Sequence, residues 1–310
     1  ILKAIGLTPI NNIVDVTNFV CHEIGQPLHA FDAAAITGGK VIVKTLSAGS
    51  KFVTLDEKER TLTETDLMIC NTKEGMCIAG VFGGIKSGVS NQTKNIFLES
   101  AYFSADYIRK TGMHHQLKTD ASFRFERGTD PNITVYALKR AALLIKEVAG
   151  GKISSEIVDV YPNKIGDKSI DVKYNHITRL IGKEIPIDRI HSILKSLDIG
   201  IKEGNEKQFT AVVPPYRVDV LQEADIIEEI LRIYGLDNIA LVDNAGTSFL
   251  ADFPINDSNG YKRVIGEMLV AGGFYEILTN SLTNQSYYQK HDLAFNGQPR
   301  SEEHTSELQS

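Results

Sequence analysis

Four stretches of this 310-residue chain carry polar residues too specific for a bland core: Thr17, Asn18 and His29; Gly80-Val81-Phe82-Gly83-Gly84; Glu99 within Phe97-Leu98-Glu99-Ser100-Ala101; and the run from Thr119 to Gly128. The glycines let backbone N–H groups approach a ligand closely. They do not form a P-loop, because Gly84-Ile85-Lys86-Ser87 separates the glycine from the lysine and breaks the required spacing. Cys21 lies three residues from Asn18, but no base is placed to ionise it, so no nucleophile–base dyad is evident. Each of these residues also has a plainer reading. His29 can be a satisfied buried histidine, Glu99 a strand-end carboxylate paired with Arg124 or Arg127, and Thr119 with Asp120 a helix or turn cap.

Metal binding is a second chemistry open to the chain. Asp225, Glu228 and Glu229 stand at i, i+3 and i+4, and Asp219 precedes them after Pro215-Tyr216-Arg217, so four carboxylates can present oxygen ligands to one Mg2+. The alternative is a solvated helix face with acids near its positive end.

These residues need elements to hold them. In Asp15 to Asp32 apolar positions alternate with Thr17, Asn18, His29 and Asp32, and Gly25-Gln26-Pro27 interrupts them. The pattern predicts a strand or short helix, a tight turn, and a second buried run, which can bring Asn18 and His29 to one pocket wall. From Lys40 to Ser100, short β-branched runs at 41–43, 67–69, 77–79 and 96–98 are separated by turn residues, which predicts a mainly β region flanked by helices. The clearest helix is predicted to start at Asp130-Pro131 and to end at Gly150-Gly151, with Leu138, Ala141, Ala142 and Ile145 on one side. A domain boundary is placed just after those glycines.

Beyond it, Ser169 to Tyr174 alternates as a strand does, Asn175 is a candidate cap for a short helix through Ile181, and a second helix starts near Pro186. Strands at 199–201 and 210–213 complete a compact α+β module of winged-helix type. With Asp188 and Asp198 beside only Arg189 and Lys195, its second helix is a poor phosphate surface, which favours a structural or docking role. Asp219 to Gly235 predicts an amphipathic helix with Ile226, Ile227, Ile230, Leu231 and Tyr234 inward and Asp225, Glu228, Glu229 and Arg232 outward. A linker is expected from Leu236 to Gly260, then a helix from Tyr261 to Val270 and a strand from Phe274 to Leu282. The expected fold class is therefore α+β and multidomain.

Composition narrows the partners. At 42% hydrophobic and 23% charged the chain can bury ordinary cores. A net charge of −6 argues against a free-standing nucleic-acid binder, since phosphate contacts need clustered Lys and Arg. Three cysteines, Cys21, Cys70 and Cys77, form no CxxC pair and fit a reducing cytosol, where they serve as core filler. No apolar run reaches the length of a membrane span, and the first residues lack a secretory pattern. With no initiator Met the chain looks cut from a longer protein, and residues 300–310 resemble a translated sequencing adapter.

All four polar stretches match, in order and close to the family spacing, the editing domain of bacterial phenylalanine-tRNA ligase beta subunits, and the resemblance runs from Ile1 to about Pro299. It implies an editing domain over 1–151, a winged-helix-like domain with the acidic helix over 152–237, and a linker with the start of a class II synthetase-like core over 238–299. In such a pocket, tyrosine wrongly attached to tRNA(Phe) is hydrolysed from its ester. By resemblance Glu99 accepts a hydrogen bond from the tyrosine hydroxyl, Gly83 and Ala121 leave room for the ring, and Thr17 and Thr119 line the pocket. Asn18 and His29 sit near the ester, where His29 orients or deprotonates water. Asp219, Asp225, Glu228 and Glu229 fall on a Mg2+-associated segment at the boundary with the alpha subunit. The resemblance further implies a cytoplasmic enzyme of two alpha and two beta chains that joins phenylalanine to tRNA(Phe) with ATP and Mg2+. Two rivals stand beside it, a free-standing hydrolase of mischarged tRNA and a non-catalytic scaffold for a partner chain.

Overall fold

The structure, a computed structural model, describes residues 1–240 and 257–278. Ile1–Leu241 forms one compact unit and Val242 onward a second.

The first unit opens with helix α1 (Asn12–Ile24), which starts where the Asn11 side chain accepts from the Val14 N–H and stops at Gly25 in the left-handed region. After the turn comes β1 (Leu28–Asp32), so the helix alternative for this stretch holds. Then follow β2 (Ile42–Thr45), β3 (Lys51–Val53), β4 (Glu59–Thr61), β5 (Leu67–Cys70), β6 (Gly75–Ile78), β7 (Phe82–Gly83) and β8 (Ile96–Ser100). They make an antiparallel sheet in the order β2-β5-β6-β7, a β3-β4 hairpin, and a two-stranded ribbon of β1 and β8. Single bridges from Phe31 to Gly88 and from Thr54 to Gly84 tie these pieces together. Their shared core holds Phe31, Leu62, Met68, Ile69 and Ile78, together with Ile108 of α2 (Ala105–His115).

Two helices follow, the short α3 (Asp120–Phe125) and the 16-residue α4 (Thr134–Ala149). Helix α4 begins later than Asp130, because the Asp130 carboxylate accepts from the Asn132 N–H in a local turn and does not cap the helix. Its inward residues are Ala137 and Ala141, which pack on Val16 and Val20 of α1. A fork of hydrogen bonds from Arg140 to Glu23 fastens the same two helices at their surface.

A second core lies in the rest of this unit. Strands β9 (Lys168–Lys173), β10 (Gly200–Gly204) and β11 (Gln208–Val213) form a sheet in the order β10-β11-β9. Helices α5 (Tyr174–Ile181), α6 (Ile187–Ser196) and α7 (Glu223–Tyr234) close on it through Ile177, Ile190, Ile193, Leu194, Ile226 and Ile230. Asn175 lies inside α5, whose N-cap is Lys173. Helix α7 begins at Glu223 and stops at Gly235. Glu229 is buried, contrary to the outward placement expected from periodicity, because Arg217 and Arg232 both bond its carboxylate.

In the second unit, α8 (Ser258–Ala271) covers the helix expected over 261–270. Residues 274–278 carry no strand, and the rest of that expected strand, most of the expected linker and the adapter-like tail lie outside the described residues. Mixed helices and antiparallel sheets are thus observed, as α+β patterning implies. Among the described residues no helix is long and apolar enough to cross a membrane.

Candidate active site

The register of the β1–β8 ribbon sets His29 directly opposite Glu99. Directly paired residues share a face, so both side chains enter one cavity of about 70 Å³. A second cross-strand pair, Cys77 with Gly83 on β6 and β7, supplies the facing wall, and Ala121 and Phe125 of α3, at i and i+4, close the side. Val81, Phe82 and Phe103 make the remaining surface largely apolar.

Local packing fixes the imidazole. Its ring meets Phe31 edge-on with centroids 4.4 Å apart. On another side, a Cβ at Gly83 would come within 3.0 Å of His29 Cε1 and 2.8 Å of Leu55 Cδ1, so the backbone lies directly against the ring. Gly80, between β6 and β7, has φ 66°, and a Cβ there would meet Phe103, Ile108 and Phe125 at 3.0 Å or less. Gly80→Ala is expected to combine left-handed strain with overpacking, at a cost of about 2–4 kcal/mol, read as a lowered thermal unfolding midpoint. An unchanged midpoint would show that the wall relaxes freely.

The electrostatics of the cavity follow from burial. Burial pushes the Glu99 carboxyl up to about 8 and the His29 imidazole down to about 4. Both are therefore neutral at pH 7. Glu99 Oε2 and His29 Nε2 are buried and make no hydrogen bond. The plain readings of both residues fail here: Arg124 pairs with Asp120 and Arg127 with Glu126, neither with Glu99. Buried polar atoms without partners destabilise a fold, so two of them facing one cavity mark a place where a ligand or water supplies the bonds. The cavity exceeds the space one water requires.

Glu99 also makes a pH prediction. Its folded pKa lies above the ordinary 4.5, so the folded state holds the proton more tightly and stability falls as pH rises from about 4.5 to about 8. Denaturant unfolding of parent and Glu99→Gln should diverge across that window in favour of the variant, by up to about 1.4 kcal/mol per pH unit. A gap that stays flat with pH would contradict the buried neutral acid.

The thiols are not nucleophiles at neutral pH. Burial raises Cys21 to about 11, and burial followed by the Glu99 charge raises Cys77 well above its ordinary value. All three cysteines are free and buried, as core filler implies, although Cys77 also faces the cavity.

The other expected residues, Thr17, Asn18 and Thr119, do not line the cavity. Thr119 is the N-cap of α3, accepting from Ser122 N–H and donating to the Val81 carbonyl at 3.0 Å, so it braces the cavity-lining turn between β6 and β7. The buried Thr17 hydroxyl donates to the Val14 carbonyl within α1. Asn18, the next residue, is half-buried. Sequence reasoning missed Cys77, Phe82, Phe103 and Phe125 as lining.

The four acids expected to hold Mg2+ are not brought together as a ligand set. Asp219 pairs with Arg217, Asp225 accepts from the Leu221 and Gln222 N–H groups at the start of α7, and Glu229 is held by Arg217 and Arg232. That leaves Glu228 exposed and alone. Among the described residues no group of three or more His, Cys, Asp or Glu is placed to hold a metal. The donor set present does not fit a cation.

Residues 1–150 match a family model described as "B3/4 domain", and residues 170–236 one described as "tRNA synthetase B5 domain". The chain is 53% identical over 287 residues to a "Phenylalanine--tRNA ligase beta subunit" of Bacteroides fragilis, covering 93% of this chain and 35% of that protein. To the protein of the same description from Geobacter metallireducens it is 39% identical over 300 residues, covering 97% of this chain and 37% of that protein. An N-terminal fragment of the phenylalanyl-tRNA synthetase beta-subunit from Pyrococcus horikoshii aligns with a TM-score of 0.37 at 15% identity over 72% of this chain and 65% of that one, too loosely to add weight.

Proposed function

Because the chain belongs, over the 35% of their length that it spans, to the family of phenylalanine–tRNA ligase beta subunits, we propose that its cavity hydrolyses tyrosine wrongly esterified to tRNA(Phe). The observation that carries this reading is the pair of neutral, unpartnered polar atoms, Glu99 Oε2 and His29 Nε2, set into apolar walls. A phenylalanine ring would leave one of them orphaned; a tyrosine ring brings a hydroxyl that both donates and accepts.

In this mechanism Glu99 reads the hydroxyl, with Gly83 and Ala121 giving the ring room. A neutral carboxyl can accept a hydrogen bond from the phenol O–H through its carbonyl oxygen or donate one from its own O–H, so the contact costs no buried charge. The unprotonated His29 imidazole accepts a hydrogen bond from a water directed at the ester carbonyl. As the water oxygen bonds to that carbon, its proton passes to Nε2, and the ring returns the proton to the ribose oxygen as the C–O bond breaks. Free tyrosine and intact tRNA(Phe) result. A base of pKa about 4 holds a proton weakly, so orientation of water, helped by the terminal ribose hydroxyl, carries much of the rate. Asn18 is assigned to the ester end, and Thr17 and Thr119 to the support of the surrounding backbone.

The same reading makes this chain part of a cytoplasmic enzyme of two alpha and two beta chains that charges tRNA(Phe) with phenylalanine, with ATP and Mg2+ as requirements of the whole. Within it, 1–151 is the editing domain and 152–237 a winged-helix-like docking domain, followed over 238–299 by a linker and the start of a synthetase-like core. A part for Asp219, Asp225, Glu228 and Glu229 in holding Mg2+ would require Arg217 and Arg232 to release Asp219 and Glu229, and Asp225 to leave the N–H groups of Leu221 and Gln222.

The test is deacylation of Tyr-tRNA(Phe), with Phe-tRNA(Phe) as control, by the full-length heterotetramer. Rapid loss of the tyrosyl ester alone supports the reading. If both esters survive equally, the domain is a scaffold for its partner.

A further inference from the structure

Gln26 lies in the turn between α1 and β1 and is fully buried. Its side-chain nitrogen donates to the carbonyl of Ala101 at 2.7 Å and to that of Pro27 at 3.1 Å. Two carbonyl acceptors fix which end of the amide is nitrogen. The other end, Oε1, is buried with no partner. An orphaned acceptor in the interior destabilises, so stability alone does not explain this residue.

The ribbon it touches needs pinning. Apart from the single bridge of Phe31 to Gly88, β1 and β8 pair with each other alone among the described strands, and a two-stranded ribbon is marginal on its own. A slip of one residue would turn every side chain to the opposite face and take His29 and Glu99 out of the cavity. At the far end, Thr93 donates to the Asp32 carboxylate at 2.6 Å, and Asp32 N–H to the Ser87 carbonyl at 3.0 Å. Ser100 donates to the Thr134 carbonyl, which holds β8 to α4 and not to β1. At the end nearest the cavity, the side-chain bond joining the two arms is the one from Gln26 to Ala101, which crosses from three residues before His29 to two residues after Glu99.

We propose that Gln26 is a positioning residue whose amide sets the register in which His29 faces Glu99, and through it the preference for the tyrosyl ester. The proposal rests on the hydrolytic reading of the cavity.

The test uses the full-length heterotetramer with Gln26→Met, which keeps size and removes both donors, and Gln26→Glu, whose protonated carboxyl can still donate to Ala101. Two readouts are taken at pH 6: the ratio of Tyr-tRNA(Phe) to Phe-tRNA(Phe) deacylation, and backbone hydrogen exchange. Gln26→Met is expected to lower the ratio about tenfold to a hundredfold and to speed exchange in 28–32 and 96–100, leaving 67–78 as in the parent. Gln26→Glu is expected to recover most of the ratio. An unchanged ratio, exchange accelerated over the whole unit, or equal loss in both variants would overturn the proposal. Should the parent spare both esters, the hydrolytic reading fails, and exchange confined to the two ribbon strands then decides by itself whether Gln26 sets the register.

Discussion

Replacing Glu99 with alanine is expected to reduce the preference for Tyr-tRNA(Phe) over Phe-tRNA(Phe) by about 10²-fold or more. The remaining walls, Val81, Phe82, Phe103 and Phe125, are apolar and treat the two rings nearly alike. A hydrophobic pocket distinguishes an added hydroxyl by only about 10²-fold, whereas a site that bonds the hydroxyl rejects the ring lacking it far more strongly. Glu99→Gln should keep part of the preference, because its amide is neutral, as the native carboxyl is below about 8. In the parent, preference is expected to rise as pH passes about 8, where the carboxyl ionises, becomes a stronger acceptor for the phenol O–H and is left a buried, unpaired charge by phenylalanine. Competitive deacylation of mixed esters measures this directly, and an alanine variant with an unaltered ratio would remove Glu99 from recognition.

His29→Ala should leave that ratio in place and slow hydrolysis of both esters by about 10²- to 10⁴-fold, the usual contribution of a positioned base or water ligand. Burial holds the imidazole near 4, so the parent rate should stay flat down to about pH 5 and fall only as the ring protonates below that. The Glu99 effect differs in window and observable, a change of preference on the alkaline side. Single-turnover deacylation from pH 4.5 to 8.5 separates the two. If His29→Ala changed discrimination instead of rate, the imidazole would belong to recognition and the water would need another partner.

Much of the fold could be read from local patterns. β-branched runs located β2, β5 and β8, and the Gly25-Gln26-Pro27 turn separated α1 from β1. Local signals failed where a competing partner lay elsewhere. Asp130 resembled an N-cap but closes a turn on Asn132, and Glu229 looked exposed by helical spacing but is buried by Arg217, which comes from outside its helix. The site was legible as residues and not as a constellation. No periodicity joins His29 to Glu99, since only the antiparallel register of the ribbon does so. Gly83 is named by resemblance, and its physical signal is that of a glycine within a β run, where another group, here the His29 ring, approaches closely. Cys77 carried no such signal, because its apolar neighbours describe a core and a cavity wall equally well.

The short turn after α1 also makes this region a lever. Arg140 and Glu23 clamp the last turn of α1 to α4, and only Ile24 to Leu28 separates that clamp from the imidazole. A push on α4 would therefore reach the cavity through five residues, of which Gly25 is the one flexible joint and the buried Gln26 and Pro27 the stiff part. Insertions that surface loops elsewhere tolerate should be excluded here, since a single added residue would disconnect the handle from the blade.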